Sequence, residues 1–199
     1  RLPIDQEELI GAVSSRAKKT VVLLETGSSV NVYPWIDSIE ALLVIWYPGC
    51  EGGKAIARTL YGEVNPSGRL PALFPKSDEQ FGEWDTNAKE VKHGLFHGYR
   101  YLDCKHEKAL FPFGFGLSYT EFKVKSVFVN RKKRHFSVIV AVSNQGKVDG
   151  DCVVQLYVSC LNSKVDRAKK ELKGFGRLSL PANEEMNLEF EVPDSDLCF

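Results

Sequence analysis

Carboxylates are the side chains of this 199-residue sequence that could serve in catalysis, and one of them has a sequence position typical of a ligand-binding site. Two carboxyl groups held close together can act as a proton donor and as a nucleophile or base. The chain holds 26 acidic residues, so their presence alone selects nothing. Glu51 is the best candidate because it follows an apolar run and precedes a helical pattern, and open α/β sheets bind ligands beyond the carboxyl ends of their strands. A structural role at the helix start is favoured over ligand binding.

Two histidines four residues apart, His93 and His97, have the spacing that puts two imidazoles on one face of a helix. Together with Asp103 or His106 they could ligate a metal ion. A glycine follows each histidine, however, and glycine opposes helix formation. We therefore predict no metal site and no cofactor.

Two common catalytic signatures are absent from the sequence. A P-loop would need glycine where Pro48 stands and serine or threonine where Ala55 stands. A nucleophile elbow would need glycine in place of Asn31 or Thr120. Neither a phosphate-binding loop nor a serine hydrolase is indicated.

The charge pattern opposes a nucleic-acid or membrane partner. The 26 basic and 26 acidic residues cancel, and neither half of the chain carries the basic excess that nucleic acid or an anionic membrane attracts. The basic run 131–134 has no aromatic residues between its charges and is typical of a solvated hairpin turn. The longest apolar stretch, residues 41–47, is far below the roughly 18 to 20 residues of a membrane span.

The cysteines, five in number, indicate neither a disulfide framework nor a zinc knuckle, because the count is odd and no C-x-x-C pair occurs. Reduced, mostly buried thiols are the simplest interpretation. The only N-x-[ST] match contains Pro66, which blocks glycosylation. These features slightly favour a cytoplasmic over a secreted location, and the first residues do not resemble a signal peptide.

The first part of the chain has the pattern of a βα unit. Helical spacing predicts a helix over residues 5–18, and a strand follows at 20–24. That strand is apolar on both faces, so we expect both faces to be covered. A second apolar strand at 41–46, a glycine turn and a helix at 52–61 then predict an open α/β sheet.

The rest of the chain changes character near Tyr119. Residues 69–74 predict one more short strand, and residues 75–118 show no sustained period, as in a long ordered connection that is functional or wrapped across another domain. From Tyr119 onward apolar residues alternate with polar ones, and turn signals separate the runs at intervals suited to a β-sandwich. The second half is predicted to be all-β.

Five segments closely resemble glycoside hydrolase family 3 of the β-glucosidase type. They follow one another along nearly the whole chain: WYPGCEGGKAIA at 46–57, LYGEVNPSGRLP at 60–71, GYRYLD at 98–103, LFPFGFGLSYT at 110–120 and KELKGF at 170–175. The resemblance implies part of an α/β three-layer sandwich at residues 1–76 and a long ordered connection at 77–118. It then implies an immunoglobulin-like, fibronectin type III-like β-sandwich at 119–199 that lacks its final strands.

The resemblance also implies an activity, the hydrolysis of terminal non-reducing β-D-glucosyl residues with retention. In that family the nucleophile is an aspartate of a (β/α)8-type barrel and the acid/base is a glutamate of the α/β domain, so no residue of this chain is expected to be catalytic. Arg100 and Asp103 are candidate substrate contacts, although pinning the connection to the barrel is favoured for both.

The implied partners are a β-glucoside or oligosaccharide substrate and an N-terminal barrel domain on which this chain packs, and a homo-oligomer is left open. The chain alone is expected to be inactive. Two alternatives remain: a β-xylosidase or other exo-glycosidase of the same family, and a non-catalytic scaffold or binding protein that keeps these domains.

Overall fold

The structure, a computed structural model, describes residues 2–82 and 87–198. The chain forms two compact units, which we call the first and second unit. The first comprises Arg1–Ala57 and Leu70–Phe115, and the second comprises Arg58–Arg69 and Gly116–Phe199. None of the described helices is long and apolar enough to cross a membrane.

The predicted strand, turn and helix of the first part are confirmed. The elements in chain order are α1 (Ile4–Ser14), β1 (Val21–Leu24), β2 (Ala41–Val44), α2 (Gly52–Leu60) and α3 (Tyr99–Lys105), with short 3-10 turns at Ile36–Ser38 and Asp78–Phe81. Strands β1 and β2 pair in parallel, with Val21 opposite Ala41. A parallel pair requires a crossover connection, which residues 25–40 supply.

The core of the first unit lies beside this strand pair. Leu24, Val32, Trp35 and Phe74 are its buried members. The expectation that both faces of β1 are covered is wrong for the described chain, because its alternate residues are open to solvent, 46% at Val21 and 41% at Leu23. The chain supplies only one of the two layers that such an apolar strand needs.

The predicted strand at residues 69–74 is also wrong, and proline explains it. Leu70 and Phe74 each exchange backbone hydrogen bonds with the segment 111–115, but only Phe74 forms a bridge, an isolated one with Phe111. Pro71 stands between them and has no N–H to continue a ladder. The two contacts therefore stay separate.

The predicted all-β second part is confirmed as two facing antiparallel sheets. Its strands are β3 (Phe122–Arg131), β4 (His135–Asn144), β5 (Gly150–Val158), β6 (Glu171–Leu180) and β7 (Glu185–Pro193), followed by a 3-10 turn at Asp194–Leu197. One sheet has the order β3-β4-β7 and the other pairs β5 with β6. The basic run 131–134 falls at the turn between β3 and β4, as predicted.

The core of the second unit fills the space between these sheets. Val138, Val140 and Val142 of β4 alternate toward it, as period two requires, and meet buried residues of β6 and β7. Two glycines of β6 let the sheets approach closely. A Cβ atom at Gly174 would lie 2.9 Å from the Phe190 ring, and one at Gly176 would lie 2.7 Å from Leu188. Strand β6 therefore lies over β7.

A buried asparagine organises one end of the sandwich. Asn144 is 1% exposed. Its Oδ1 accepts hydrogen bonds from the Thr120 hydroxyl at 2.5 Å and from the Gly146 N–H at 3.1 Å. Its Nδ2 donates to the carbonyls of Val148 at 2.9 Å and Leu180 at 3.0 Å. All its polar capacity is thus used within the second unit.

A second asparagine joins the segment Arg58–Arg69 to the sandwich. Asn65 Oδ1 accepts from the Ser118 hydroxyl at 2.9 Å and from the Tyr119 N–H at 2.8 Å, and its Nδ2 donates to the Asp149 carbonyl at 3.0 Å. The Tyr119 hydroxyl donates to the Thr59 carbonyl at 2.7 Å. The segment belongs to the second unit through these specific hydrogen bonds.

Lowering the pH should weaken the interactions that Asp151 on β5 makes with its neighbours on β6. Hydrogen bonds from Ser179 and then Arg177 hold the pKa of Asp151 below its usual 3.8. Since this pKa is lower in the folded state, the stabilisation is present above pH 3.8 and is lost as the pH falls through the lowered value. We expect Asp151→Asn to lower the free energy of unfolding at pH 7 by about 0.5 kcal/mol, because Arg177 is largely exposed. Chemical denaturation should show this difference shrinking as the pH falls below 3.8. Asp166→Asn, at an exposed aspartate, is the matched control. An equal pH profile for both variants would contradict the assignment.

Candidate functional site

The carboxyl ends of β1 and β2 lie side by side because the strands are parallel. The Ile45 N–H donates to the Leu24 carbonyl at 2.9 Å, which keeps the two chains together to the end of the pair. Residues 25–27 follow β1 here, and residues 45–51 follow β2 and lead into α2. Ligands of open α/β sheets bind at this kind of edge.

Trp46 has an unusual backbone conformation at this edge. Its φ is 49°, in the left-handed region that bulky side chains rarely adopt. Such a conformation costs of order 1 to 3 kcal/mol and persists only where the surrounding structure imposes it. The indole packs against the core, with its ring centroid 6.4 Å from that of Phe74 in an edge-to-face arrangement. The core contact holds the turn in place.

Tyr47 lies across the end of β1 as a result of this turn. A Cβ atom built on Gly27 would lie only 2.1 Å from the Tyr47 hydroxyl oxygen, so a side chain at position 27 would require the Tyr47 ring to shift. The Tyr47 side chain is nevertheless 77% exposed. In the described chain the Tyr47 ring therefore lies close to Gly27 with most of its surface open to solvent.

Glu51, the candidate from sequence, lies in the same turn, directly before α2. Its side chain is 82% exposed and forms an ion pair with Lys54 at 3.8 Å. Such a pair on an exposed helix start has the geometry of the structural role that the sequence favoured. Glu51 remains a candidate for contact with a ligand.

A separate groove of about 610 Å³ occurs elsewhere in the first unit, and Arg100 is part of its wall. The lining is rich in rings: Phe81, His93, Phe96, His97, Tyr99, Tyr101 and Phe113. The wall around Arg100 is ordered by contacts of Tyr99, whose ring lies 5.3 Å from that of Phe113 and 5.9 Å from the Arg100 guanidinium carbon. Neither Asp103 nor Glu51 is among the described residues that line this groove.

Arg100 and Asp103 are both on α3, three residues apart and therefore on one side of the helix. Arg100 Nε and Asp103 Oδ2 are shielded from solvent. The helix begins after Gly98, whose φ of 60° makes the sharp entry that glycine allows. The structure therefore places these two candidates together and Glu51 apart from them.

The histidine pair lies on the groove but does not extend into a metal site. The rings of His93 and His97 are 4.4 Å apart between centroids. Over residues 2–82 and 87–198 no three His, Cys, Asp or Glu side chains are grouped as metal ligands. The cysteines are unpaired, and the expectation that they are mostly buried is wrong, since only Cys152 is shielded; burial raises the pKa of its thiol.

A small cavity of about 180 Å³ opens in the second unit between the end of β5 and the start of β6. Glu171 occupies it as a largely shielded carboxylate, 3.7 Å from Arg167 and 3.2 Å from Lys173. One carboxylate thus lies between two cations within the second unit. This cavity has the character of a structural ion-pair network.

Two family models match the first and last parts of the chain. Residues 1–119 match the glycosyl hydrolase family 3 C-terminal domain, and residues 152–199 match the fibronectin type III-like domain. A thermostable beta-glucosidase B of Acetivibrio thermocellus is 41% identical, with the match covering 96% of this chain and 26% of that protein. A beta-glucosidase of Kluyveromyces marxianus is 39% identical over 98% of this chain and 24% of its own length.

Solved structures agree with this similarity. The structure of beta-glucosidase 3B from Thermotoga neapolitana in complex with glycerol superposes with a TM-score of 0.92 at 32% identity, covering 98% of this chain and 29% of that one. A beta-glucosidase from Streptomyces venezuelae in complex with D-glucose gives 0.87 at 40% identity, covering 96% and 26%. The chain thus spans about a quarter of the length of the curated relatives it matches.

Proposed function

Because the chain belongs to glycosyl hydrolase family 3, we propose that it is the C-terminal portion of a retaining β-glucosidase that removes terminal non-reducing β-D-glucosyl residues. The reaction would use two carboxyl groups, one as nucleophile and one first as acid and then as base. The similarity to several proteins named beta-glucosidase over nearly all of this chain carries the proposal.

We further propose that both catalytic carboxylates lie outside residues 1–199. The matched relatives are about four times as long, which leaves ample sequence for a catalytic domain. Glu51, the best-placed acid of the chain, is exposed and paired with Lys54. Arg100 and Asp103 are proposed to fix the connection in place, since both have shielded polar atoms on α3.

The N-terminal barrel is the proposed partner of the first unit within the same protein. Val21 and Leu23 present an apolar face that the described chain leaves open, and Val91 on the groove wall is 46% exposed. Apolar surface of this kind is covered in a stable protein. The remaining strands and helices of the α/β domain are proposed to cover β1.

The full-length protein tests the activity. We expect it to hydrolyse an aryl β-D-glucoside faster than the matching β-D-xyloside, with proton NMR showing the β-anomer of glucose released first. The 199-residue chain assayed in parallel should show no hydrolysis above the buffer rate. Stoichiometric turnover by that chain would contradict the location of the carboxylates.

The same assay separates the alternatives. Preference for the xyloside would identify a β-xylosidase or another exo-glycosidase of the family, and release of the α-anomer first would exclude retention. Absence of any turnover by the full-length protein, with sugar binding kept, would favour a scaffold or binding protein.

A further inference from the structure

We propose that one end of the β-sandwich binds a carboxylated polysaccharide, because the fold gathers basic residues there that lie far apart in the sequence. We call this surface the basic end, and it consists of residues 131–134, 159–173 and 194–198. The choice of a carbohydrate polymer as the ligand rests on the proposed function, whereas the surplus of positive charge does not depend on it.

The strand arrangement brings the three segments of the basic end together. Residues 132–134 join β3 to β4, and β7 ends beside the start of β4, with Pro193 opposite His135. Strand β5 ends and β6 begins at the cavity of about 180 Å³, which is lined by both Arg167 and Leu197. Leu197 follows β7 in the chain, so both sheets of the second unit finish at this end.

The basic end carries a large surplus of positive charge. It holds nine lysine or arginine residues against four aspartate or glutamate residues. The loops at the opposite end of the sandwich, residues 120–121, 145–149 and 181–185, hold one lysine against four acidic residues. The chain as a whole is neutral, with 26 residues of each sign. The charges are therefore separated in space although they are balanced along the sequence.

Pairing within the basic end cannot neutralise it, because its cations outnumber its carboxylates by more than two to one. Arg131 pairs with Asp194, and Glu171 lies between two cations. Residues 132–134 and Lys164 are exposed. Apolar surface from another part of the protein would not cover such an end, since an uncompensated charge is costly to remove from water. The basic end is suited to an anionic partner.

The aromatic rings beside the basic end favour one class of polyanion. The Arg131 guanidinium carbon lies 4.5 Å from the centroid of the Phe136 ring, and the Lys170 ammonium nitrogen lies 5.5 Å from that of Tyr157. Binding of RNA bases uses open rings for stacking, and binding to lipid inserts large apolar side chains. Cations lie over both rings, which leaves Leu161 as a large exposed apolar side chain of this end. Recognition by charge alone fits a polymer whose sugars carry carboxylates, which form charge-assisted hydrogen bonds with lysine and arginine.

Binding of the full-length protein to polygalacturonate tests the proposal. We expect biolayer interferometry to detect binding at low salt, and Kd to rise roughly tenfold as sodium chloride increases from about 50 to 200 mM. Lys132→Glu combined with Lys133→Glu should raise Kd roughly tenfold, because two charges of the β3–β4 turn change sign. Lys123→Glu combined with Lys147→Glu is the matched control, since both lysines are exposed and lie outside the basic end. This control should leave Kd within about twofold.

Three results would overturn the inference. The first is an equal loss of binding in the two double variants. The second is no binding by the full-length protein at low salt, which would show that acidic groups elsewhere in the protein already occupy the basic end. The third is tighter binding to phosphatidylserine vesicles or to RNA than to polygalacturonate.

Hydrolysis of the aryl β-D-glucoside, measured on the same samples, separates this inference from the proposed function. Both double variants should hydrolyse it at the rate of the unmodified protein. Polygalacturonate binding without any hydrolysis would refute the β-glucosidase and keep the basic end as a binding surface. Hydrolysis without polygalacturonate binding would refute the binding surface alone.

Discussion

Replacement of Asn144 by alanine should destabilise the second unit by about 3 kcal/mol, one of the two largest effects we expect. The variant removes hydrogen bonds from a side chain that is 1% exposed. It leaves the Thr120 hydroxyl, the Gly146 N–H and the carbonyls of Val148 and Leu180 without this partner. Each buried or partly buried group left unpaired costs about 1 kcal/mol. Urea denaturation followed by circular dichroism measures the loss.

Two further variants sharpen this test. Asn187→Ala on β7 is the matched control, because Asn187 is exposed and should change stability by less than about 0.5 kcal/mol. Asn144→Asp keeps the shape but replaces the N–H donor that faces two carbonyl oxygens by a carboxylate oxygen, which should raise the pKa of the new carboxyl. That variant should therefore lose more stability relative to wild type at pH 7 than near pH 4. Equal losses for Asn144→Ala and Asn187→Ala would show that the hydrogen bonds of Asn144 contribute little.

Val129→Asp should lower the free energy of unfolding of the full-length protein about as much as Asn144→Ala does. This is expected although Val129 is 64% exposed in the described chain. Val124, Val127 and Val129 are register partners of residues in β4 whose side chains are buried in the core. Directly opposite residues of paired strands point to the same side of a sheet. The three valines therefore face the interior side of the sandwich, yet each is more than half exposed.

The position of the second sheet explains this exposure. Strand β6 lies over β7, and β5, its only partner among the described residues, packs on the core beside it. We propose that further strands outside residues 1–199 extend this sheet from β5 and cover β3. A charge would then be buried at Val129, at a cost of about 3 kcal/mol or more.

A control on the same strand tests that proposal. Asn130 points to the opposite face, since its register partner is Ser137 rather than a core valine. Asn130→Asp should therefore change the free energy of unfolding by less than about 0.5 kcal/mol. In the 199-residue chain both variants should be mild, and a mild effect of Val129→Asp in the full-length protein as well would refute the additional strands.

The sequence predicted the elements whose signals are local. Alternation of Val138, Val140 and Val142 marks β4, because a strand buries every second residue. The charged turn before β4 is likewise visible in four consecutive residues. The roles of Asn65 and Asn144 were not predictable, since each bonds to groups far along the chain, up to 84 residues away for Asn65.

The candidate site was predicted only in part for a similar reason. The strand, turn and helix order placed Glu51 at the end of β2. The close approach of Tyr47 to Gly27 was not predictable, because it is a contact between residues twenty positions apart. The left-handed Trp46 has no local signal, as bulky residues rarely adopt that conformation. The proposed limits at 76 and 118 remain predictions for the whole protein.

The hydrogen bonds of Asn65 have a consequence for how such sandwiches are inherited. The second unit is discontinuous, since Arg58–Arg69 precedes a long stretch of the first unit before the sandwich resumes at Gly116. A gene fragment beginning at Gly116 would encode every β-sandwich strand described and omit the asparagine that binds Ser118, Tyr119 and Asp149. Exon shuffling or fusion-protein design that treats the sandwich as a contiguous module therefore discards part of it. We therefore expect related proteins to contain both units together.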